Sequence, residues 1–202
     1  LYRHFKQKLP FGAVQTGRGY RNEISPRQGM IRLREFNMAE LEYFIDPENP
    51  PGKSGLNQTN GEIVEMISDP EGEHPGNHRI TIQSALNDGI VKHPTVASFL
   101  SRTYDFLVKI GIDGERIRFR QHAGSEMAHY ASDCWDCEIH GEYGWIECVG
   151  IANRTCHDLE SHEAYSGTNL LRAWRQFESP RKVSKEVLSP NGSVIGPIFR
   201  QK

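Results

Sequence analysis

Residues 131–151 read ASDCWDCEIHGEYGWIECVGI, and their pattern decides the class of fold. Ala131 to Ile139 and Trp145 to Ile151 have strand composition, and His140-Gly141-Glu142-Tyr143-Gly144 between them has the glycines and polar residues of a turn. The two segments predict an antiparallel hairpin. Just upstream, Arg116 to Arg120 predicts a further short strand. Thr95 to Ile110 predicts a helix, because Val96, Phe99, Leu100, Thr103, Leu107 and Ile110 recur at i, i+3, i+4 spacing behind Pro94 and stop at Gly111. That stripe is read as packing and not as a cofactor site.

Further out, Pro10 to Gly19 predicts a strand bounded by glycine turns, and Tyr2 to Gln7 has the pattern of the tail of a helix. Met30 to Phe44 alternates long enough to predict an extended strand. Ile31, Leu33, Leu41 and Tyr43 have odd parity, and Arg32, Arg34, Phe36, Met38, Glu40 and Phe44 have even parity, so one face carries the polar chemistry. Between Asp46 and Asn77 the density of Pro, Gly, Asn and acids predicts loops, and residues 46–94 are expected to form an insertion. Consecutive strands with few intervening helices predict an α+β fold, an antiparallel β-sheet flanked by helices.

The chain has 202 residues, room for one ordinary domain or a little more, with 37% hydrophobic and 25% charged residues. That content excludes disorder for most of the chain. No apolar run approaches the roughly 20 residues of a membrane span, and the N-terminal residues lack a secretory signal pattern. The first residue is Leu, which suggests an excerpt of a longer chain. The formal net charge of -2 hides an asymmetry. Residues 1–36 hold eight Lys or Arg against two acids, a segment suited to phosphates, and residues 37–76 hold nine acids against Lys53 alone, the pattern of a solvated insertion.

Four cysteines are too few for a disulfide framework and fit a reducing cytoplasm. Cys134 and Cys137 have C-x-x-C spacing, which a zinc or redox module also uses. On a strand, however, their opposite parity points them to opposite faces, so they are expected to be buried sulfhydryls.

The stretch Tyr20-Arg21-Asn22-Glu23-Ile24-Ser25-Pro26-Arg27, followed by Gly29-Met30-Ile31-Arg32-Leu33-Arg34-Glu35-Phe36-Asn37-Met38-Ala39-Glu40-Leu41-Glu42, closely resembles motif 2 of the class II aminoacyl-tRNA synthetases, in the version found in glycyl-tRNA synthetases. Two more blocks resemble that family in the same order. One runs through Arg118-Phe119-Arg120-Gln121-His122, Glu126-Met127-Ala128-His129-Tyr130-Ala131 and Asp133-Cys134-Trp135-Asp136. The other is Gly144-Trp145-Ile146-Glu147-Cys148-Val149-Gly150-Ile151-Ala152-Asn153-Arg154, continuing to Asp158-Leu159. Residues 192–199 resemble the following segment of archaeal and eukaryotic-type members less specifically. Asn153 and His157 depart from the common pattern, without touching the residues implied to meet ATP.

The resemblance implies part of a class II catalytic core, with no anticodon-binding domain among these residues. It implies a glycine–tRNA ligase that uses ATP and Mg²⁺, with glycine and tRNA(Gly) as partners, acting as a cytoplasmic homodimer without membrane contact. It gives Arg21 the α-phosphate and the catalytic role, Glu23 the adenine side, Arg32 the distal phosphates and Phe36 the adenine ring. Asn22, Leu33 and Cys148 join the ATP-binding set, Glu40 meets the amino group of glycine, and Glu147 lies near ATP as a ligand for shared Mg²⁺.

Amino-acid activation brings a carboxylate onto a phosphate, so preorganised cations are required, and the planar, permanently charged Arg fork suits that task. The same resemblance leaves an alternative, a non-catalytic synthetase-like accessory subunit that binds nucleic acid. His122 and His129 are read as structural hydrogen-bonding groups, Trp135 and Trp145 as packing, and Arg154 with Asp158 as a pair within a turn.

Overall fold

A computed structural model describes residues 4–6, 8–23, 33–48, 61–168, 182 and 184–186 of the chain. The expected hairpin is present as β6 (Asp133–Gly141) and β7 (Gly144–Asn153), antiparallel, with Gly141 opposite Gly144 at the turn. Gly144 has φ +91, a left-handed conformation that its missing Cβ makes accessible. The register shifts between Cys137, which faces Val149, and Glu138, which faces Glu147. Cys148 is therefore the extra residue of a β-bulge.

β5 (Ile117–Gln121) pairs antiparallel with β6. On its other side stands β3 (Ile63–Ser68), parallel to β5 and antiparallel to β4 (Gly76–Thr81), which gives the order β4-β3-β5-β6-β7. Two expectations are corrected here. The sheet is mixed, not purely antiparallel, and within the stretch expected to be loops up to Asn77, residues 63–68 form a strand and 76–77 begin another. Parallel neighbours need a long crossover, and α1 (Ile82–Asn87) and α2 (Pro94–Lys109) occupy the chain between β4 and β5.

The core lies between one sheet face and these helices. Val64 and Met66 of β3, Ile117 and Phe119 of β5, and Trp135 and Cys137 of β6 pack with Ile82 and Ala85 of α1 and with Val96, Ala97, Leu100, Tyr104 and Leu107 of α2. Each large apolar side chain so buried contributes about 1.5–3 kcal/mol. α2 begins behind His93, whose Nδ1 accepts the Thr95 N–H at 3.2 Å, and ends before Gly111 at φ +103. Of the expected stripe, Phe99 is half-buried and Ile110 is exposed.

The opposite sheet face is polar. Arg118 meets Glu138 at 2.6 Å, while Arg120 meets Asp136 at 2.7 Å and Glu126 at 2.9 Å. His122 Nε2 lies 2.9 Å from Asp136, in keeping with the structural role read for it. Trp135 is fully buried, and Trp145 packs on the polar face beneath the Arg118 guanidinium, 4.0 Å from its ring centroid.

β1 (Phe11–Tyr20) and β2 (Glu35–Phe44) form a separate two-stranded antiparallel sheet, running from Phe11 opposite Phe44 to Tyr20 opposite Glu35. β2 starts at Glu35, later than expected, and Met30 to Arg32 lie outside the described residues. The hairpin meets α2 where the Tyr43 and Phe99 rings pack edge to face, 5.3 Å apart. α3 (His157–Ser166), which the sequence reading did not anticipate, follows β7, and Arg154 and Asp158 pair at 2.8 Å where the two join. Residues 4–6 form a turn, where a helix tail was expected; the remainder of that segment, like residues 192–199, lies outside the described residues. Among the described residues no helix is long and apolar enough to cross a membrane.

Candidate active site

Cross-strand pairing sorts the β1–β2 side chains onto two faces. One face carries the pairs Gly19/Phe36, Gly17/Met38, Gln15/Glu40, Ala13/Glu42 and, at its far end, Phe11/Phe44. The other carries Tyr20/Glu35, Arg18/Asn37, Thr16/Ala39, Val14/Leu41 and Gly12/Tyr43. From Ala13 to Gly19 on the first face β1 supplies only glycine, alanine and Gln15. The longer β2 side chains therefore stand over a low floor. Phe36 and Glu40 share it, as their parity predicts.

Beyond the last strand pair the two chains remain joined. The Arg21 N–H donates to the Arg34 carbonyl at 3.0 Å, the Glu23 N–H to the Arg21 carbonyl at 2.9 Å, and Arg34 Nε to the Glu23 carbonyl at 2.9 Å. Arg18 and Glu35 form an ion pair beside them. These bonds hold Arg21, Asn22 and Glu23 at the Phe36 end of the hairpin. Arg21 and Asn22 are exposed, and the Arg21 guanidinium has no hydrogen bond or ion pair among the described residues. Leu33, exposed, precedes β2. Arg32 lies outside the described residues.

Arg34 is the contributor that sequence reading placed on the polar face without giving it a task. Its guanidinium clamps the segment that carries Glu23. The even parity it shares with Arg32 was the available signal.

Glu147 and Cys148 stand on β7, in the other sheet. Glu147 faces Glu138, whose carboxylate is already held by Arg118 and Arg120. Glu147 itself is exposed and has no hydrogen bond or ion pair among the described residues. None of the described hydrogen bonds or ion pairs links it to the hairpin, so the two groups of expected ATP residues occupy different sheets.

The Cys148 thiol lies 3.2 Å from the Cys137 carbonyl. The Cys137 thiol is driven far above the ordinary range by its hydrogen bond to Cys148 and by burial, and the same bond holds Cys148 below it. Burial pushes the Cys134 thiol up to about 11. Cys134 pairs with Ala152 on the polar face and Cys137 with Val149 on the core face, so the C-x-x-C sulfurs diverge, as their parity predicts. Among the described residues no three His, Cys, Asp or Glu side chains converge to hold a metal ion.

Comparison with known proteins gives the geometry its context. The chain is 47% identical over 203 residues to a glycine–tRNA ligase of Archaeoglobus fulgidus, covering 100% of this chain and 34% of that protein. It is 43% identical over 195 residues to one of Caenorhabditis elegans, covering 96% of this chain and 26% of the relative. An Arabidopsis thaliana relative named as a cytoplasmic form is 46% identical over 196 residues, 96% of this chain and 42% of the relative. No protein-family model matches the chain.

These relatives are aminoacyl-tRNA ligases, the class that the motif-bearing hairpin resembles. Within that class they are glycine–tRNA ligases, and the chain matches one segment of each over 96–100% of its own length. It spans about a third of the length of the first curated relatives it matches.

Proposed function

We propose that these residues are part of the class II catalytic domain of a glycine–tRNA ligase, with residues 46–94 an insertion that adds β3, β4 and α1 to the common core. Glycine and ATP react first: a glycine carboxylate oxygen bonds to the α-phosphorus and pyrophosphate leaves, giving glycyl-adenylate. A ribose hydroxyl at the 3′ end of tRNA(Gly) then attacks the glycyl carbonyl, and AMP leaves.

The chain's own residues bind and orient in this scheme. Arg21 holds the α-phosphate, where negative charge builds as the carboxylate approaches, and its guanidinium, exposed and without a partner among the described residues, is available for that contact. Phe36 lies against the adenine ring, a stacking contact worth about 1–3 kcal/mol. Glu23 takes the adenine side, Arg32 the distal phosphates, and Asn22, Leu33 and Cys148 complete the ATP contacts. Glu40 accepts from the glycine ammonium.

Glu147 fits Mg²⁺ as one carboxylate. The ion typically binds through one or two carboxylates together with substrate phosphates and water, and the described residues build no fuller cage. When bound, it neutralises charge on the triphosphate. The protein acts on tRNA(Gly) as a cytoplasmic homodimer.

The observation that carries this reading is the shared open face of β2. Phe36 and Glu40 lie four residues apart, about 13 Å along the strand, with Arg21 fixed at the Phe36 end. This is the arrangement for reading a base at one end of an aminoacyl adenylate and an ammonium at the other. In the complete protein, Arg21→Ala is expected to lower glycine-dependent pyrophosphate exchange by about 100-fold or more. Exchange near the wild-type rate would overturn the assignment. Tight nucleic-acid binding with no ATP binding would mark an accessory subunit instead.

A further inference from the structure

We infer that Gln15 is a second recognition residue for the α-ammonium of the amino-acid substrate, acting beside Glu40. This inference rests on the amino-acid-activating reading above. Gln15 is the direct cross-strand partner of Glu40, and the two side chains leave the same face of the hairpin. Directly opposed residues of an antiparallel pair have Cβ atoms about 4.5–5.5 Å apart, within reach of one small cationic group.

Both residues are exposed, and neither has a hydrogen-bond or ion-pair partner among the described residues. The floor around them is low. On β1 the same-face neighbours of Gln15 are Ala13 and Gly17, and a Cβ built at Gly17 would meet nothing within 4 Å. Polar side chains that stand opposed on an open face, with unused hydrogen-bonding capacity, leave room for a ligand group between them.

The donor and acceptor inventory fits an ammonium. A primary ammonium carries three N–H donors in a tetrahedral array, which one carboxylate does not exhaust. Glu40 accepts from one or two of them, and the Gln15 carbonyl oxygen accepts another from the opposite strand. The Gln15 amide N–H group, on the same side chain, can donate to the Glu40 carboxylate and fix its orientation. A carboxylate alone attracts any cation. Carboxylate and carbonyl on two strands also define the direction from which the ammonium enters.

In the bland alternative, Gln15 and Glu40 are an exposed cross-strand pair whose loss changes only hairpin stability. Pyrophosphate exchange by the complete protein, with glycine and ATP varied separately, distinguishes the two. Gln15→Met keeps the length and removes the polar atoms. It is expected to raise the KM for glycine about tenfold or more while leaving the KM for ATP within about twofold, because a hydrogen bond to a charged group is lost at one substrate only. Gln15→Glu, which keeps an acceptor there, is expected to hold the glycine KM within about threefold of wild type.

An unchanged glycine KM in Gln15→Met would overturn the inference. So would a parallel rise in both KM values, or a Gln15→Glu protein as impaired as Gln15→Met. Absence of glycine-dependent exchange in the wild-type protein is a separate result: it would refute the activating function itself, and this inference with it.

Discussion

The ring of Phe36 lies across Gly19. A Cβ at Gly19 would stand 2.8 Å from Phe36 Cε2 and 2.7 Å from Met38 Sδ, closer than real Cβ contacts come. Gly19→Ala is therefore expected to push both side chains away, and displacing Phe36 would disturb the adenine contact proposed for it. The KM for ATP should rise severalfold, with a loss of about 1 kcal/mol in urea unfolding from overpacking. Gly17→Ala, two residues away, has open space for its methyl group and should change neither quantity.

Asp136 and Asp158 each bind an arginine at similar distance but in different surroundings. Asp136 is 4% exposed and holds both Arg120 and His122, whereas Arg154 and Asp158 are exposed. Removing the buried partner strands the groups that faced it, so Asp136→Ala should cost about 3 kcal/mol. Asp158→Ala should cost at most about 0.5 kcal/mol, since exposed pairs gain little over their separate hydration. Equal costs in urea denaturation would contradict the burial argument.

His93 caps α2 through an unprotonated Nδ1, and burial holds its pKa below the ordinary histidine value of 6.5, with Asp133 pulling the other way. Below pH about 6.5 the unfolded chain gains a proton there that the folded chain resists. Stability contributed by this site is thus complete above that pH and is lost as pH falls toward the folded value. Wild-type Tm should drop between pH 7 and 5.5. In His93→Asn, which keeps a capping acceptor without a titrating group, the drop should be smaller.

Local pattern made the β6–β7 hairpin legible, because alternation and a glycine-flanked turn decide it within 21 residues. α2 was equally plain, bounded by Pro94 and Gly111. β3 was hidden by its setting: Ile63, Val64, Met66 and Ile67 sit between acid-, Pro- and Gly-rich stretches. What makes it an interior strand is pairing with β5, more than 50 residues away along the chain. Nothing local records such a partner. α3 lacks a continuous apolar stripe and buries no residue, so periodicity had nothing to detect.

The resemblance selected the hairpin residues of the candidate site, and parity added that Phe36 and Glu40 share a face, since a period of two fixes which β2 side chains stand together. The separation of Glu147 onto another sheet was not legible, because it depends on which strands join which sheet. Gln15 escaped for the same reason. It sits in a glycine-flanked strand with no feature of its own, and only the register with Glu40 distinguishes it.

The most direct test of the central claim is ATP–pyrophosphate exchange by the complete wild-type protein, measured with each amino acid in turn. The account predicts exchange that depends on glycine and stays near background with the others. Exchange driven equally by another amino acid, or none with glycine while ATP remains unbound, would contradict it.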